Sequence, residues 1–161
     1  MAIKFNKRIY KSWRDFFADV SFLARKRKLI RRVTRGGLLS SDFRERLMLA
    51  ATAVYGCRYC SYLHTREALK SGLPKEEVVR LLTHSIESCP EEEVVALFYA
   101  QHWAESNAQP EADAVQRLEQ IYGSEKAEAI NLVLRMIRLG NLAGNSCDYL
   151  LYRISFGRWG R

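Results

Sequence analysis

Apolar residues recur every three or four positions along almost the whole chain, the period of helices buried on one side. From residue 3 to 23 the stripe is Phe5, Ile9, Trp13, Phe16, Phe17, Val20 and Leu23, with Lys4, Lys7, Lys11 and Arg14 mostly between, which predicts a basic amphipathic helix. A basic run, Arg25-Lys26-Arg27-Lys28 with Arg31, Arg32 and Arg35, follows and ends at Gly36-Gly37. This divides the chain into an extension, residues 1–37, and a main domain, residues 38–161. In the main domain Ser41 or Asp42 is placed to cap a helix running to about Val54, and Gly56 interrupts before a second helix from Cys57 to Ser71-Gly72. Pro74 with Lys75-Glu76-Glu77 reads as a helix start, and Val78, Val79, Leu82 and Ile86 give its apolar face. Ser88 to Glu93 repeats the start signal ahead of Val94, Val95, Leu97, Phe98 and Trp103. Pro110 opens a helix through Val115, Leu118 and Ile121, which Gly123 closes.

The stretch from Ser124 to about Leu139 is apolar on most sides, as expected of a central helix or one buried at a subunit contact. Gly140 and Gly144 punctuate it, and Asn145 or Ser146 is placed to cap a last helix through Tyr152. No segment alternates with strand period, so the expected fold is all-α, a single bundle of helical hairpins with a basic helical extension.

A chain of 161 residues with 48% apolar residues has enough material for one well-filled core. Its longest apolar run, Leu47 to Cys57, includes Thr52 and Gly56 and falls short of the roughly 18 residues that span a bilayer. The N-terminus carries no signal-peptide pattern, so a cytoplasmic location is expected. Charge is concentrated at one end. Residues 1–36 hold twelve Lys/Arg against Asp15 and Asp19, net +10; the remainder is net −2, together the +8 of the chain. The basic arm suits docking on a neighbouring subunit, then an anionic membrane surface; nucleic acid is unlikely, because no nucleic-acid motif accompanies the charge.

Candidate chemistry gathers around Cys57-Arg58-Tyr59-Cys60, with His64 after it and Glu45 before it. On one helix Cys57, Cys60 and His64 lie at i, i+3 and i+7 and share a face. A helix N-terminus favours thiolate, and a disulfide between residues three apart there is readily reduced, so the pair suits redox turnover. The spacing also permits Glu45 to meet His64 across a helical hairpin. Other readings compete. Glu45 stands three residues after Asp42, as in a capping box. The two thiols and His64 supply three zinc ligands, with Cys89, His84 or Glu45 as a fourth, but a single segment without a second paired knuckle is a poor zinc framework. No metal or cofactor is therefore expected. Cys89 and Cys147 read as buried, inert thiols, and His84 and His102 as core or interface residues on apolar faces; Tyr59 and Tyr62 either line the site or pack.

Glu45, eleven residues, Cys57-x-x-Cys60, three residues and His64 together resemble the active-site pattern of alkylhydroperoxidase D-like (AhpD-like) proteins of the carboxymuconolactone decarboxylase superfamily. Ala50-Ala51-Thr52-Ala53 before the pair and Ala68-Leu69-x-x-Gly72-Leu73 after it are also typical, and the match covers roughly residues 42–82. The resemblance implies an all-helical fold assembling as trimers or hexamers, and a peroxidase or disulfide reductase supplied by an external dithiol. It implies that Cys60 attacks peroxide, that Cys57 resolves the sulfenic acid, and that Glu45 and His64 relay protons. Tyr59 stands where some members carry a second histidine, so thiol–disulfide exchange is expected alongside peroxide reduction. The rivals are a lactone decarboxylase of the same superfamily, whose reaction needs no redox cysteine pair, and a non-catalytic membrane- or nucleic-acid-associated protein with a zinc-bound or inert pair.

Overall fold

The computed structural model describes residues 5–35 and 37–160, and every regular element among them is a helix. In chain order these are α1 (Trp13–Arg25), α2 (Arg27–Thr34), α3 (Ser41–Tyr55), α4 (Arg58–Lys70), α5 (Lys75–Leu82), α6 (Glu91–Glu105), α7 (Ala112–Tyr122) and α8 (Ser124–Ile154). The all-α expectation holds.

α3 is the hub and packs on α4, α5, α6 and α8. Its residues from Phe43 to Thr52 are buried except Arg44, and Leu47, Leu49, Ala50 and Ala51 have essentially no exposure. A helix enclosed on all sides must neutralise the charges it carries, because an unpaired buried ion is costly. Arg46 accordingly bonds Glu77 on α5 (2.5 Å), Asp42 one turn back (2.9 Å) and Glu93 on α6 (3.2 Å). Burial is the main cause that pushes the Glu93 carboxyl up to about 7, with Arg46 opposing it.

α8 is the second axis, 31 residues without interruption. The expected break at Gly140 and Gly144 is absent: helical hydrogen bonding continues through both, and Asn145 and Ser146 sit inside the helix rather than capping a new one. The missing side chains of the two glycines serve packing against α4.

The N-terminal segment departs from expectation in register. Helix begins at Trp13, not near residue 3, because Ser12 takes extended geometry and its hydroxyl accepts the Asp15 N–H (3.2 Å). Residues 5–11 instead strap α8. Phe5 packs on Tyr149 and Tyr152, the Tyr10 N–H donates to Ser146 Oγ (3.2 Å), and Asn145 Nδ2 donates to the Arg8 carbonyl (3.0 Å). The face of α1 turned inward carries Asp19, which receives Arg135 (3.1 Å), Arg138 and the Tyr10 hydroxyl (2.7 Å). Trp13, Phe17 and Val20 stay exposed, so the apolar stripe read from sequence splits between two environments. The basic run contains a helix of its own, α2, which buries Val33, packs on α8 and is tethered by Lys26–Glu128 and Arg32–Glu125 pairs. Lys4 and Gly36 lie outside the described residues.

Several smaller features also differ from expectation. The α3 cap is Ser40, whose hydroxyl accepts the Phe43 N–H (3.4 Å), which frees Asp42 to pair with Arg46. Pro74 precedes α5 as its N-cap, and α7 begins two residues past Pro110. Cys147 is exposed on α8 and Cys89 half-buried, so neither is a fully buried thiol. His84 is exposed beyond the end of α5 at φ 67°, and His102 bonds Glu111.

Candidate redox site

Gly56 ends α3 in the left-handed region (φ 67°), its N–H closing on the Thr52 carbonyl (2.8 Å). Only two residues, Gly56 and Cys57, then separate α3 from α4, so the chain reverses at once and the two helices pack side by side. Cys57 is the N-cap of α4, with extended geometry, and its carbonyl accepts both the N–H and the hydroxyl of Ser61 (2.9 and 3.0 Å). The expected start of this helix at Cys57 is therefore off by one residue, which matters chemically. An N-cap side chain faces the free N–H groups of the first turn.

At that position the Cys57 sulfur lies close to the Cys60 thiol and to the backbone N–H groups of Cys60 and Tyr59, all of which favour its thiolate. These contacts lower its pKa to about 6, against burial and the negative charge of Asp148. Cys60 moves the other way: as the donor to Cys57, and by burial, its thiol is pushed up. Of the two thiols, Cys57 is therefore the more acidic. Cys57 is fully enclosed, whereas Cys60 keeps 8% exposure. Both cysteines are free thiols.

Glu45, buried on α3, meets His64 of α4 across the hairpin, Oε2 to Nδ1 at 2.7 Å. The carboxylate does no capping. By accepting the Nδ1–H of the imidazole it fixes the ring's orientation and turns Nε2 away from itself, one helical turn beyond Cys60. The four residues picked from sequence therefore lie in one hairpin, with Glu45 and His64 in direct contact and the two cysteines at the turn.

α8 supplies what sequence reading missed. A methyl group added at Gly144 would stand 2.6 Å from the Cys57 sulfur and 3.3 Å from the Tyr59 ring; at Gly140 it would stand 3.5 Å from the Cys60 sulfur. The two glycines, one turn apart, let the start of α4 rest directly on the α8 backbone. One turn further, Asp148 is wholly buried and holds the two residues between the cysteines: Arg58 Nη2 (2.7 Å) and the Tyr59 hydroxyl (3.0 Å) both donate to its Oδ1. Lys7 of the N-terminal strap donates to Oδ2 (2.8 Å). Burial works against this carboxylate, but those partners hold its pKa below the ordinary range. Gly140, Gly144 and Asp148 at i, i+4 and i+8 form one stripe, a pattern visible in the sequence once the glycines are taken as helical. Among the described residues no three His, Cys, Asp or Glu side chains converge as metal ligands.

An all-helical bundle with a Cys-x-x-Cys turn beside a Glu–His pair defines the class of protein, and comparison of the sequence with known families agrees with it. The chain belongs to the carboxymuconolactone decarboxylase family, whose sequence profile matches residues 22–102, from α1 through most of α6. The family expected from the motif is thus the family found. No curated protein and no solved structure matches the chain.

Proposed function

We propose that the protein is a thiol-dependent oxidoreductase that cycles Cys57 and Cys60 between dithiol and disulfide to reduce an alkyl hydroperoxide or a disulfide. The observation that carries the reading is the 2.7 Å Glu45–His64 contact on the hairpin whose turn bears Cys57 and Cys60. Lactone decarboxylation gives these sulfurs no task.

Cys60 attacks, since it keeps slight exposure and stands one turn from His64, while Cys57 has none and is sealed against Gly144. As Cys60 approaches the peroxide its proton passes to the Cys57 thiolate. The Cys60 sulfur bonds the terminal oxygen, the O–O bond breaks, and the alkoxide leaves as alcohol with a proton from protonated His64, whose charge Glu45 stabilises. The site now holds a Cys60 sulfenic acid and a Cys57 thiol. A proton then passes from Cys57 to His64, the Cys57 thiolate attacks the sulfenic sulfur, and the displaced hydroxide takes the proton back from His64, leaving water and the disulfide. Two thiols and one hydroperoxide thus yield one disulfide, one alcohol and one water. An external dithiol returns the pair to its starting state by two exchange steps and becomes a disulfide itself. With a disulfide substrate the same Cys60 attack gives a mixed disulfide, which Cys57 resolves.

Self-assembly, as trimers or hexamers, belongs to this reading: Tyr62 and Leu63, on α4 beside the site, are apolar and exposed on the single chain. So does a reducing cytoplasm, where the disulfide forms only transiently. No helix among the described residues is long and apolar enough to cross a membrane.

The test is turnover of cumene hydroperoxide with dithiothreitol as donor. Cys60→Ser is expected to abolish it, and Glu45→Gln or His64→Gln to lower it by about a hundredfold or more. Cys57→Ser is expected to leave a sulfenic acid at Cys60 that dimedone captures. Turnover surviving in Cys60→Ser would contradict the assignment.

A further inference from the structure

On the far side of α8 from the sulfurs, the N-terminal strap, α1 and the loop after α6 enclose a cleft of about 560 Å³. Arg138 and Leu142 line it, each two residues from the glycines that meet the cysteines and so roughly 200° around the helix from them. Arg8, Arg135 and Arg138 bring three guanidinium groups to its wall, and Asp19 is the one buried carboxylate among them. Asp19 receives Arg135 and Arg138 together, which leaves a surplus positive charge. Arg8 has its own partners, donating to the carbonyls of Ala104 and Glu105 at the end of α6.

The same region holds unmet hydrogen-bonding groups. Among the described residues, the buried side-chain atoms without a partner are Arg138 Nε, Tyr55 Oη, Asn141 Oδ1 and Asn145 Oδ1. Two of the four, Arg138 Nε and Tyr55 Oη, are N–H or O–H donors, and an unmet buried donor is expensive enough that native proteins rarely keep one. Arg138 is only 8% exposed and lines the cleft itself. The Tyr55 hydroxyl lies within the fields of Arg8 and Arg135. Both Arg135 and Arg138 have their pKa lowered, chiefly by burial, which the charge of Asp15 at the cleft wall offsets only in part for Arg138.

We propose that this cleft is a binding site for a small organic monoanion, whose carboxylate meets Arg138 and Arg135 while its apolar body lies against Ile9, Ala108 and Leu142. The surplus of positive over negative side chains in the lining suits a carboxylate, planar guanidinium groups suit its planar geometry, and the volume falls in the range of small-molecule sites. The site is built by the N-terminal strap and is independent of the redox reading.

The test uses the full chain, titrated calorimetrically with benzoate and with inorganic phosphate at an ionic strength held constant with sodium chloride. Saturable binding of benzoate at one per chain, weakened at least tenfold by Arg138→Gln and by Arg135→Gln, is expected. Arg135 sits at the rim of the cleft, a third exposed, so its variant keeps the question open to measurement even if loss of the buried Arg138 disturbs folding. Heats no larger than those of added sodium chloride, an affinity unchanged in Arg135→Gln, or binding of phosphate without benzoate would overturn the proposal.

Discussion

At the scale of single residues the account rests on which sulfur carries the charge. Cys57 stands at the N-cap of α4, where the Cys60 thiol and the backbone N–H groups of Cys60 and Tyr59 lower its pKa, so thiolate absorbance near 240 nm is expected to appear with a midpoint near pH 6. Cys60→Ala removes the largest of the three contributions and should move that midpoint upward; a midpoint that stays put would mean that the backbone N–H groups alone set it. Cys57→Ala should abolish the low-pH step altogether. The roles implied by resemblance gave attack to Cys60 and resolution to Cys57. In the proposed mechanism the attacking sulfur and the more acidic sulfur are different atoms of the pair. Sequence spacing revealed the four residues because a Cys-x-x-Cys-x-x-x-His run occupies one face of one helix. It did not reveal Asp148, which stands 88 residues from Cys60 and reaches the turn only through the packing of α8 on α4.

At the scale of elements, the hairpin of α3 and α4 and the backbone of α8 decide what substitutions do. In a helix interior Gly→Ala ordinarily gains about 1 kcal/mol. At Gly140 the new methyl meets Cys60 at an ordinary van der Waals distance, so Gly140→Ala should be neutral or stabilising by up to roughly that amount. At Gly144 it would lie 2.6 Å from the Cys57 sulfur, so Gly144→Ala should destabilise the protein and displace the Cys57 titration midpoint. Urea unfolding of both variants, read with the thiolate midpoint, checks the pair; equal gains in stability would remove the packing role assigned to the stripe. These two glycines also mark where sequence reading failed. Glycine usually signals a helix end, and here a tertiary contact overrode that preference, so one long helix stands where two were expected. The opposite error fell on residues 5–11, whose apolar spacing suited a helix although their side chains and backbone are committed to α8.

The buried ion cluster between α3, α5 and α6 gives a prediction with a definite sign. The Glu93 carboxyl titrates near 7 in the fold and at its ordinary, lower value when unfolded. Between those values the folded state holds the extra proton, so its contribution to stability is full at low pH and is lost as pH rises through about 7. Glu93→Gln should flatten this decline, while Arg46 retains Glu77 and Asp42 as partners. Urea midpoints from pH 4.5 to 7.5 on both proteins measure the effect; parallel curves would refute it.

At the scale of the whole molecule, two rigid axes, α3 and α8, clamp the redox turn between them, and the basic N-terminal segment wraps the second axis. The helical class and most element positions were legible because apolar periodicity reports burial directly. The fate of the basic arm was not, because its charges and aromatics are satisfied by partners far along the chain, such as Lys7 by Asp148. With apolar side chains still exposed on α1 and α4, assembly is expected: light scattering on the purified protein should give three or six times the 18.6 kDa chain mass. A monomer at micromolar concentration would contradict that part of the reading.

The central claim, that Cys57 and Cys60 act together as a redox pair, is tested most directly by counting thiols. Reduced protein treated with one equivalent of cumene hydroperoxide should fall from four free thiols per chain to two, with mass spectrometry joining Cys57 to Cys60, and the Cys60→Ser protein should keep all three of its thiols. Four thiols remaining after peroxide and after a disulfide oxidant such as diamide would contradict the account.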